Sequence, residues 1–250
     1  MKDSQNSIRR SVFFLREYFF PSGCAVCGVS LLSPNEAWYG LCEDCHAELD
    51  EETDWLREGS AERCDLCGKP LISEQSRCLS CRSGGERGFD RLVVLFPYTG
   101  KYRELFGAYK FDKNIALGHF FTEKIREALE QFSEDAPVIV PVPSRPGKIK
   151  KTGWDQVEYL VRLLEREKHR QKNFLISRCL KRLPSKIQKE LNRENRLKNL
   201  QGRIALVKKA PPQAVIIDDV ITTGSTMDVC AAVLKAGGCR KVYGICLVYD

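Results

Sequence analysis

No apolar run in the 250-residue chain approaches the roughly 18 residues that a membrane span requires. The most apolar N-terminal stretch, Val12-Phe13-Phe14-Leu15, is broken by Arg16 and Glu17, too soon for the core of an export signal. Neither G-x-x-x-x-G-K-[ST] nor G-x-G-x-x-G occurs, which removes the ATPase P-loop and dinucleotide readings. Extended tandem repeats and low-complexity tracts are missing as well. A hydrophobic fraction of 43% with ordinary charge excludes wholesale disorder. These absences lead to the expectation of a cytoplasmic protein of one or two domains with no membrane span.

What the chain has in excess is cysteine, twelve in all. Eight fall before residue 82 in four Cys-x-x-Cys pairs: Cys24/Cys27, Cys42/Cys45, Cys64/Cys67 and Cys78/Cys81. Two residues between thiolates let one tight turn aim both sulfurs at a single ion, and two such turns complete a closed tetrahedral zinc site. Gly28 and Gly68 follow the first and third pairs, where a positive φ suits the turn. Sequential pairing gives Cys24, Cys27, Cys42 and Cys45 one Zn²⁺ ion, and Cys64, Cys67, Cys78 and Cys81 a second. A cross-braced pairing is the alternative. Disulfides or free buried thiols are the blander reading, disfavoured by eight cysteines in register and no export signal. Four-thiolate sites leave no open ligand position, so both ions are expected to be structural. Cys179, Cys230, Cys239 and Cys246 have no partner at this spacing and read as core residues.

Charge is unevenly spread. Residues 145–209 hold 20 of the 40 Lys and Arg but 6 of the 33 Asp and Glu, a local balance of +14 within a chain of +7. Lys181, Arg182, Lys186, Lys189, Arg193, Arg196 and Lys198 fall in one stretch of this region. Such a run is either a solvated helix face or a track for a phosphate backbone. Aromatic residues are scarce there, so base stacking would have to come from elsewhere.

Residues 6–20 have the spacing of a short amphipathic helix, and 21–88 are loop-rich and cysteine-dense. From Arg91 onward apolar strands alternate with helical patterns. The strands are Leu92–Phe96, Val138–Val140, Ala214–Ile217 and Val242–Val248; the helices are about 100–111, 114–131, 154–168, 185–200 and 229–236. This alternation predicts an α/β fold with a parallel sheet flanked by helices from about 89 to 250.

The strand Val215-Ile216-Ile217 runs into Asp218 and Asp219, and Val220 and Ile221 lead on to Thr222-Thr223-Gly224-Ser225-Thr226. Backbone N–H groups, hydroxyls and a helix N-terminus together suit a phosphate, and Gly224 allows close approach. The two acids can accept hydrogen bonds from sugar hydroxyls and sit near Mg²⁺. The alternative is ordinary helix capping.

This string resembles the phosphoribosyl pyrophosphate (PRPP) motif of type I phosphoribosyltransferases. Val140-Pro141-Val142-Pro143-Ser144-Arg145, then Gly153-Trp154-Asp155-Gln156, and later Gln188, Leu191, Arg196, Asn199 and Gly202, are similar to segments of the ComF/GntX family. Tyr98-Thr99-Gly100, Arg103 and Lys110-Phe111 match its lead-in. Trp154-Asp155 stands where the family has Phe-Asn. The resemblance covers the chain from about residue 21 and implies a type I phosphoribosyltransferase-like domain over 89–250 and a double zinc ribbon over 21–88; the amphipathic spacing leaves 1–20 as a separate N-terminal helix. It implies that Thr222–Thr226 hold the PRPP 5′-phosphate, that Asp218 and Asp219 face the ribose and Mg²⁺, and that Pro143, Ser144 and Arg145 form the pyrophosphate loop. Lys148, Lys150 and Lys151 would belong to a lid over the site. The family association further implies natural competence: handling of single-stranded DNA, with other competence proteins such as a DNA-uptake helicase as partners. The catalytic residues and the acceptor stay open. An active phosphoribosyltransferase on a small acceptor, or a PRPP sensor without catalysis, is the alternative function.

Overall fold

A computed structural model describes residues 22–58, 63–71, 76–83, 87–132, 137–167, 174–184 and 202–250. In chain order its elements are α1 (Pro34–Tyr39), α2 (Glu43–Glu51), α3 (Trp55–Glu58), α4 (Leu79–Ser83), β1 (Arg91–Pro97), α5 (Gly100–Lys110), α6 (Leu117–Leu129), β2 (Val138–Pro141), α7 (Lys148–Thr152), α8 (Gln156–Glu167), β3 (Leu175–Ile176), β4 (Leu180–Arg182), β5 (Ile204–Leu206), β6 (Gln213–Ile221), α9 (Ser225–Ala236) and β7 (Lys241–Tyr249). The helices expected at 6–20 and 185–200 lie outside the described residues. The described residues pack as two compact units, one of those up to Asp54 with Thr99–Phe121, the other of those within Trp55–Tyr98 and Thr122–Asp250.

In the first unit, Ser33 caps α1 in a full capping box. Its hydroxyl accepts from Glu36 N, while the Glu36 carboxylate accepts from Ser33 N at 2.8 Å. The later segment of this unit packs through rings: Trp38 stacks on His119 at 3.7 Å, and His46 meets the edge of Phe120 at 5.6 Å. Lys101 donates to both Glu48 and Glu52 at 2.6 Å. Those carboxylates are substantially exposed, so this network contributes little beyond orientation.

The second unit carries a five-stranded parallel sheet in the order β1-β7-β6-β2-β3, together with an antiparallel pair, β4-β5. The parallel α/β sheet read from the alternation is what the chain forms. Its strands are apolar throughout because helices cover them. Among these, α8 packs on β2 and β6, burying Val157, Leu160, Val161 and Leu164, and α9 packs on β5, β6 and β7. Cys179, Cys230, Cys239 and Cys246 are all buried in one core cluster, as their spacing suggested.

Two local differences from the sequence reading have simple causes. Pro141 continues β2 instead of ending it. β3 pairs with β2 only at Val138 and Ile139, so no neighbour on that side needs the missing N–H. β6 runs on to Ile221 because Asp218, Val220 and Ile221 still pair with Cys246, Val248 and Tyr249 of β7. Both acids therefore sit on the strand, not after it.

The order of strands fixes where a ligand can sit. From β2 the chain crosses through α8 to β3 on one side. From β6 it crosses through α9 to β7 on the other. Right-handed crossovers in opposite directions put these helices on opposite faces and open a crevice between β2 and β6 at their carboxyl ends.

Candidate functional site

Each unit contains one cysteine quartet, Cys24, Cys27, Cys42 and Cys45 in the first, and Cys64, Cys67, Cys78 and Cys81 in the second. The sulfurs of each lie within 4.8 Å of one another. The sequential pairing is thus the one the chain adopts. Both quartets are built alike. In the first, Cys24 N donates to Val29 O and Gly28 N to Cys24 O; in the second, Cys64 N donates to Lys69 O and Gly68 N to Cys64 O. Gly28 and Gly68 have φ of 76° and 68°, the conformation this turn needs. The second pair of each quartet opens a helix, α2 or α4.

The donor set fits zinc. A tetrahedron with Zn–S of about 2.3 Å has edges of about 3.8 Å. Cys27 and Cys42 sulfurs are 3.6 Å apart, and those of Cys67 and Cys78 are 3.7 Å apart. Burial raises the Cys24 thiol, but backbone N–H groups of Cys27, Cys42 and Val26 outweigh it and bring it down to about 7. Cys64 is lowered to about 7 in the same way, by Cys67, Cys78 and Leu66. Burial first, then neighbouring cysteines, push Cys45 and Cys67 upward. A quartet without a cation therefore favours one thiolate, and four need a cation to share.

The crevice between β2 and β6 gathers the second constellation. Val140 and Pro141 pair with Ile216 and Ile217, and Val142 N donates to Ile217 O at 2.9 Å. This register brings Pro143, Ser144 and Arg145 beside the strand that carries Asp218 and Asp219. Successive strand residues face opposite ways, so Asp218 shares the face of Ala214 and Ile216 and Asp219 has the other. Asp219 N donates to Asp218 Oδ1 at 2.9 Å. Beyond Ile221 the turn is held by Gly224 at φ 80° and by a 2.8 Å bond between the Thr223 and Ser225 hydroxyls. Gly224 is the N-cap of the 12-residue α9, with no side chain capping it. Such an N-terminus, reached by hydroxyls and an acid pair at the carboxyl end of a strand, has the chemistry of a sugar-phosphate site.

No family model matches the chain. It is 26% identical over 213 residues to the competence protein ComFC of Streptococcus pneumoniae, covering 83% of this chain and 87% of that protein. It is 25% identical over 234 residues to competence protein F of Haemophilus influenzae, covering 90% and 95%. The chain is similar to these two competence proteins along most of its length.

Of the residues expected in the lid, Lys148 is engaged: its ammonium donates to Asp155 Oδ2 at 2.6 Å and to Gln156 Oε1. Lys150 and Lys151 are exposed on α7, which has a left-handed glycine at each end, Gly147 and Gly153. Asp155 is buried, and its other oxygen accepts from Glu158 N at 3.0 Å, capping α8. Asp and Asn cap helices equally well, which accounts for Asp155 in place of the family's Asn.

Of the seven cationic residues expected to meet DNA, Lys186, Lys189, Arg193, Arg196 and Lys198 lie outside the described residues, as do Gln188, Leu191 and Asn199. Lys181 and Arg182 lie on β4 with opposite facings. Lys181 is exposed. Arg182 pairs with Ile204 and shares the face of Leu180, which is buried in the core cluster with Ile204 and residues of α9. Burial lowers the Arg182 pKa, the Arg145 and Arg203 charges lower it further, and the Asp218 charge opposes them. Arg182 is half-buried on the core-facing side of β4, while Lys181 is on the exposed side.

Sequence reasoning also passed over Arg87. Its Nη1 donates to Thr223 O at 3.0 Å and to Asp228 Oδ2 at 2.9 Å, against the turn itself. A single arginine 141 positions from its partner carries no local signal.

Proposed function

We propose that the chain binds PRPP with Mg²⁺ at the β2/β6 crevice and serves natural competence in the cytoplasm by handling single-stranded DNA. The observation that supports the PRPP reading is the pairing of β2 with β6, which puts the Pro143–Arg145 loop and the Thr222–Thr226 turn at the carboxyl ends of neighbouring strands. In this reading the turn takes the 5′-phosphate, and Asp218 and Asp219 take the ribose hydroxyls. Mg²⁺ carried in with PRPP neutralises diphosphate charge. Arg145 and Arg182 supply fixed cations where pyrophosphate charge lies, and Lys150 and Lys151 can add to them. The names of both relatives support competence, and the +14 region with its exposed Lys181 supports a phosphate-backbone partner. Zn²⁺ in each quartet is structural in this proposal, because four thiolates fill its coordination.

A second reading, an active phosphoribosyltransferase, is favoured by Arg182. The diphosphate of bound PRPP is already a polyanion, and breaking its bond to ribose leaves one more negative charge on the departing oxygen, which a desolvated guanidinium near Arg145 and Arg203 stabilises.

Calorimetric titration with PRPP and Mg²⁺ tests the site. Asp218→Asn with Asp219→Asn is expected to lose about 1.5–3 kcal/mol for each charged hydrogen bond broken. Equal affinity in wild type and variant would refute the assignment of the acids. Pyrophosphate release measured with and without single-stranded DNA then separates the readings: release that needs DNA joins them, release with a small acceptor alone favours the enzyme, and none favours binding only.

A further inference from the structure

Arg87 bonds to the Thr222–Thr226 turn, and the segment it opens leads into the strand on which the knuckle of the second cysteine quartet sits. Toward the turn, Nη1 reaches Thr223 O at 3.0 Å and Asp228 Oδ2 at 2.9 Å. Its side chain is 10% exposed and that of Asp228 16%. Gly88 N adds a 2.9 Å bond to Asp228 Oδ1, and a Cβ on Gly88 would lie 2.5 Å from Asp228 O, so the two backbones touch. A Cβ on Gly224 would meet Arg87 Nη1 at 3.0 Å. The guanidinium thus supports the turn from behind, at the residues that form the α9 N-terminus.

Toward the quartet, the Cys64–Cys67 knuckle is seated on β1, the strand that Arg87–Asp90 leads into. Leu92 N donates to Leu66 O at 2.9 Å, and a Cβ on Gly68 would lie 2.6 Å from Leu92 O. Leu66 packs both on the cysteine cluster and on the core that holds Phe89, Ile221, Met227 and Val229. Arg87 Nε is buried without a hydrogen-bond partner among the described residues. Four thiolates around one Zn²⁺ keep net negative charge, which suits a guanidinium close by.

We propose that Arg87 is a positioning residue that couples metal occupancy of the Cys64/Cys67/Cys78/Cys81 quartet to anion binding at the Thr222–Thr226 turn. A metal-loaded quartet fixes the knuckle on β1 and the Arg87–Asp228 pair beneath the turn. Loss of that metal frees the segment and loosens the donors. By linkage, ligand at the turn tightens the metal by the same factor. The inference rests on the PRPP reading of the turn.

Two measurements on the full chain, zinc-loaded except where a variant removes a ligand, test it. The first is PRPP·Mg²⁺ affinity of Arg87→Met, Arg87→Lys and Cys81→Ser. Each removes part of the link, and a lost charged hydrogen bond corresponds to about a ten- to hundredfold weaker affinity. Arg87→Lys keeps a charge for Asp228, but its ammonium sits on a shorter stem than the guanidinium whose Nη1 makes both bonds, so it folds and still binds more weakly. Arg87→Met with Cys81→Ser should be no weaker than the worse single variant, since both break one link. The second measurement is zinc release to a chromophoric chelator, which needs no turnover. Saturating PRPP·Mg²⁺ is expected to slow release of one of the two ions in wild type and of neither in Arg87→Met. Wild-type PRPP binding with affinity unchanged in Arg87→Lys, additive losses in the double variant, or release indifferent to PRPP would each overturn the coupling and leave the site standing. No PRPP binding by wild type would overturn the site, and the coupling with it.

Discussion

The two cysteine modules use the same local design and put it to different ends. Each has a knuckle whose first cysteine N–H and following glycine N–H close the same two hydrogen bonds, and each has a second pair at a helix start. The first module goes on into the nine-residue α2, and its unit adds the later segment Thr99–Phe121, with ring contacts and the Lys101 network. The second ends in the five-residue α4 and is fused to the sheet: its knuckle bonds to β1, and Arg87 beyond it holds the turn. A metal site is therefore not functionally defined by its ligands. What the knuckle touches next decides what losing the metal does.

The largest expected effect separates the modules directly. Cys24→Ser and Cys64→Ser should each lower zinc content from two ions toward one, since each removes one of the four bonds that share a binding free energy of about 10–16 kcal/mol. PRPP affinity should fall in Cys64→Ser and hold in Cys24→Ser. Zinc analysis with calorimetry on both variants checks this. Equal PRPP losses would break the contrast, and would mean that the first module also supports the donor site.

The cysteine grouping was legible because its chemistry is local: two residues between ligands and a glycine after them define a turn without reference to the rest of the chain. The parallel sheet was legible for a related reason, since Leu92–Phe96 and Ala214–Ile217 are apolar on both faces. Strands β3, β4 and β5 were not, because two or three residues show no period and are made strands by their neighbours. Arg182 was read with the lysines around it, yet strand alternation turns it inward while Lys181 faces out. Arg87 was invisible for a deeper reason. Its partners, Thr223 and Asp228, are brought to it only by the fold.

A smaller effect is expected from the knuckle glycines. An alanine at either position must adopt a left-handed φ, which costs about 1–2 kcal/mol. At Gly28 nothing lies within 4 Å of the new Cβ, so the cost ends there. At Gly68 the Cβ would meet Leu92 O at 2.6 Å and Val94 N at 3.1 Å, both backbone atoms of β1. Forced repacking adds about 1–3 kcal/mol. Gly68→Ala should therefore be the more destabilising by about that amount in thermal or urea unfolding. Matched midpoints would mean that the knuckle lifts off β1 without loss.

A comparable effect is expected at the residue before each first cysteine, where the modules differ outright. Gly23 occupies it in the first module and Arg63 in the second, and the two take equivalent bridges, Gly23 to Ser30 and Arg63 to Pro70. Arg63 Nη1 donates to Gly68 O at 3.0 Å and to Val94 O at 3.3 Å, joining the knuckle to β1, and its guanidinium lies 3.5 Å over the Trp55 ring. Burial brings its pKa down to about 10, with the Tyr249 charge opposing, so the cation is desolvated and its bonds count for more than surface ones. Arg63→Met keeps the apolar stem and removes the donors and the charge over the ring. The expected loss is about 1.5–3 kcal/mol, the range for hydrogen bonds to a charged group. Trp55 should report it as well, since its ring loses the cation; a shift in tryptophan emission in the folded variant distinguishes local release from global unfolding. If Arg63→Met unfolds with the wild-type midpoint, the Leu66–Leu92 bond and the close fit of Gly68 suffice to seat the second knuckle. The arginine would then be no part of what sets the two modules apart.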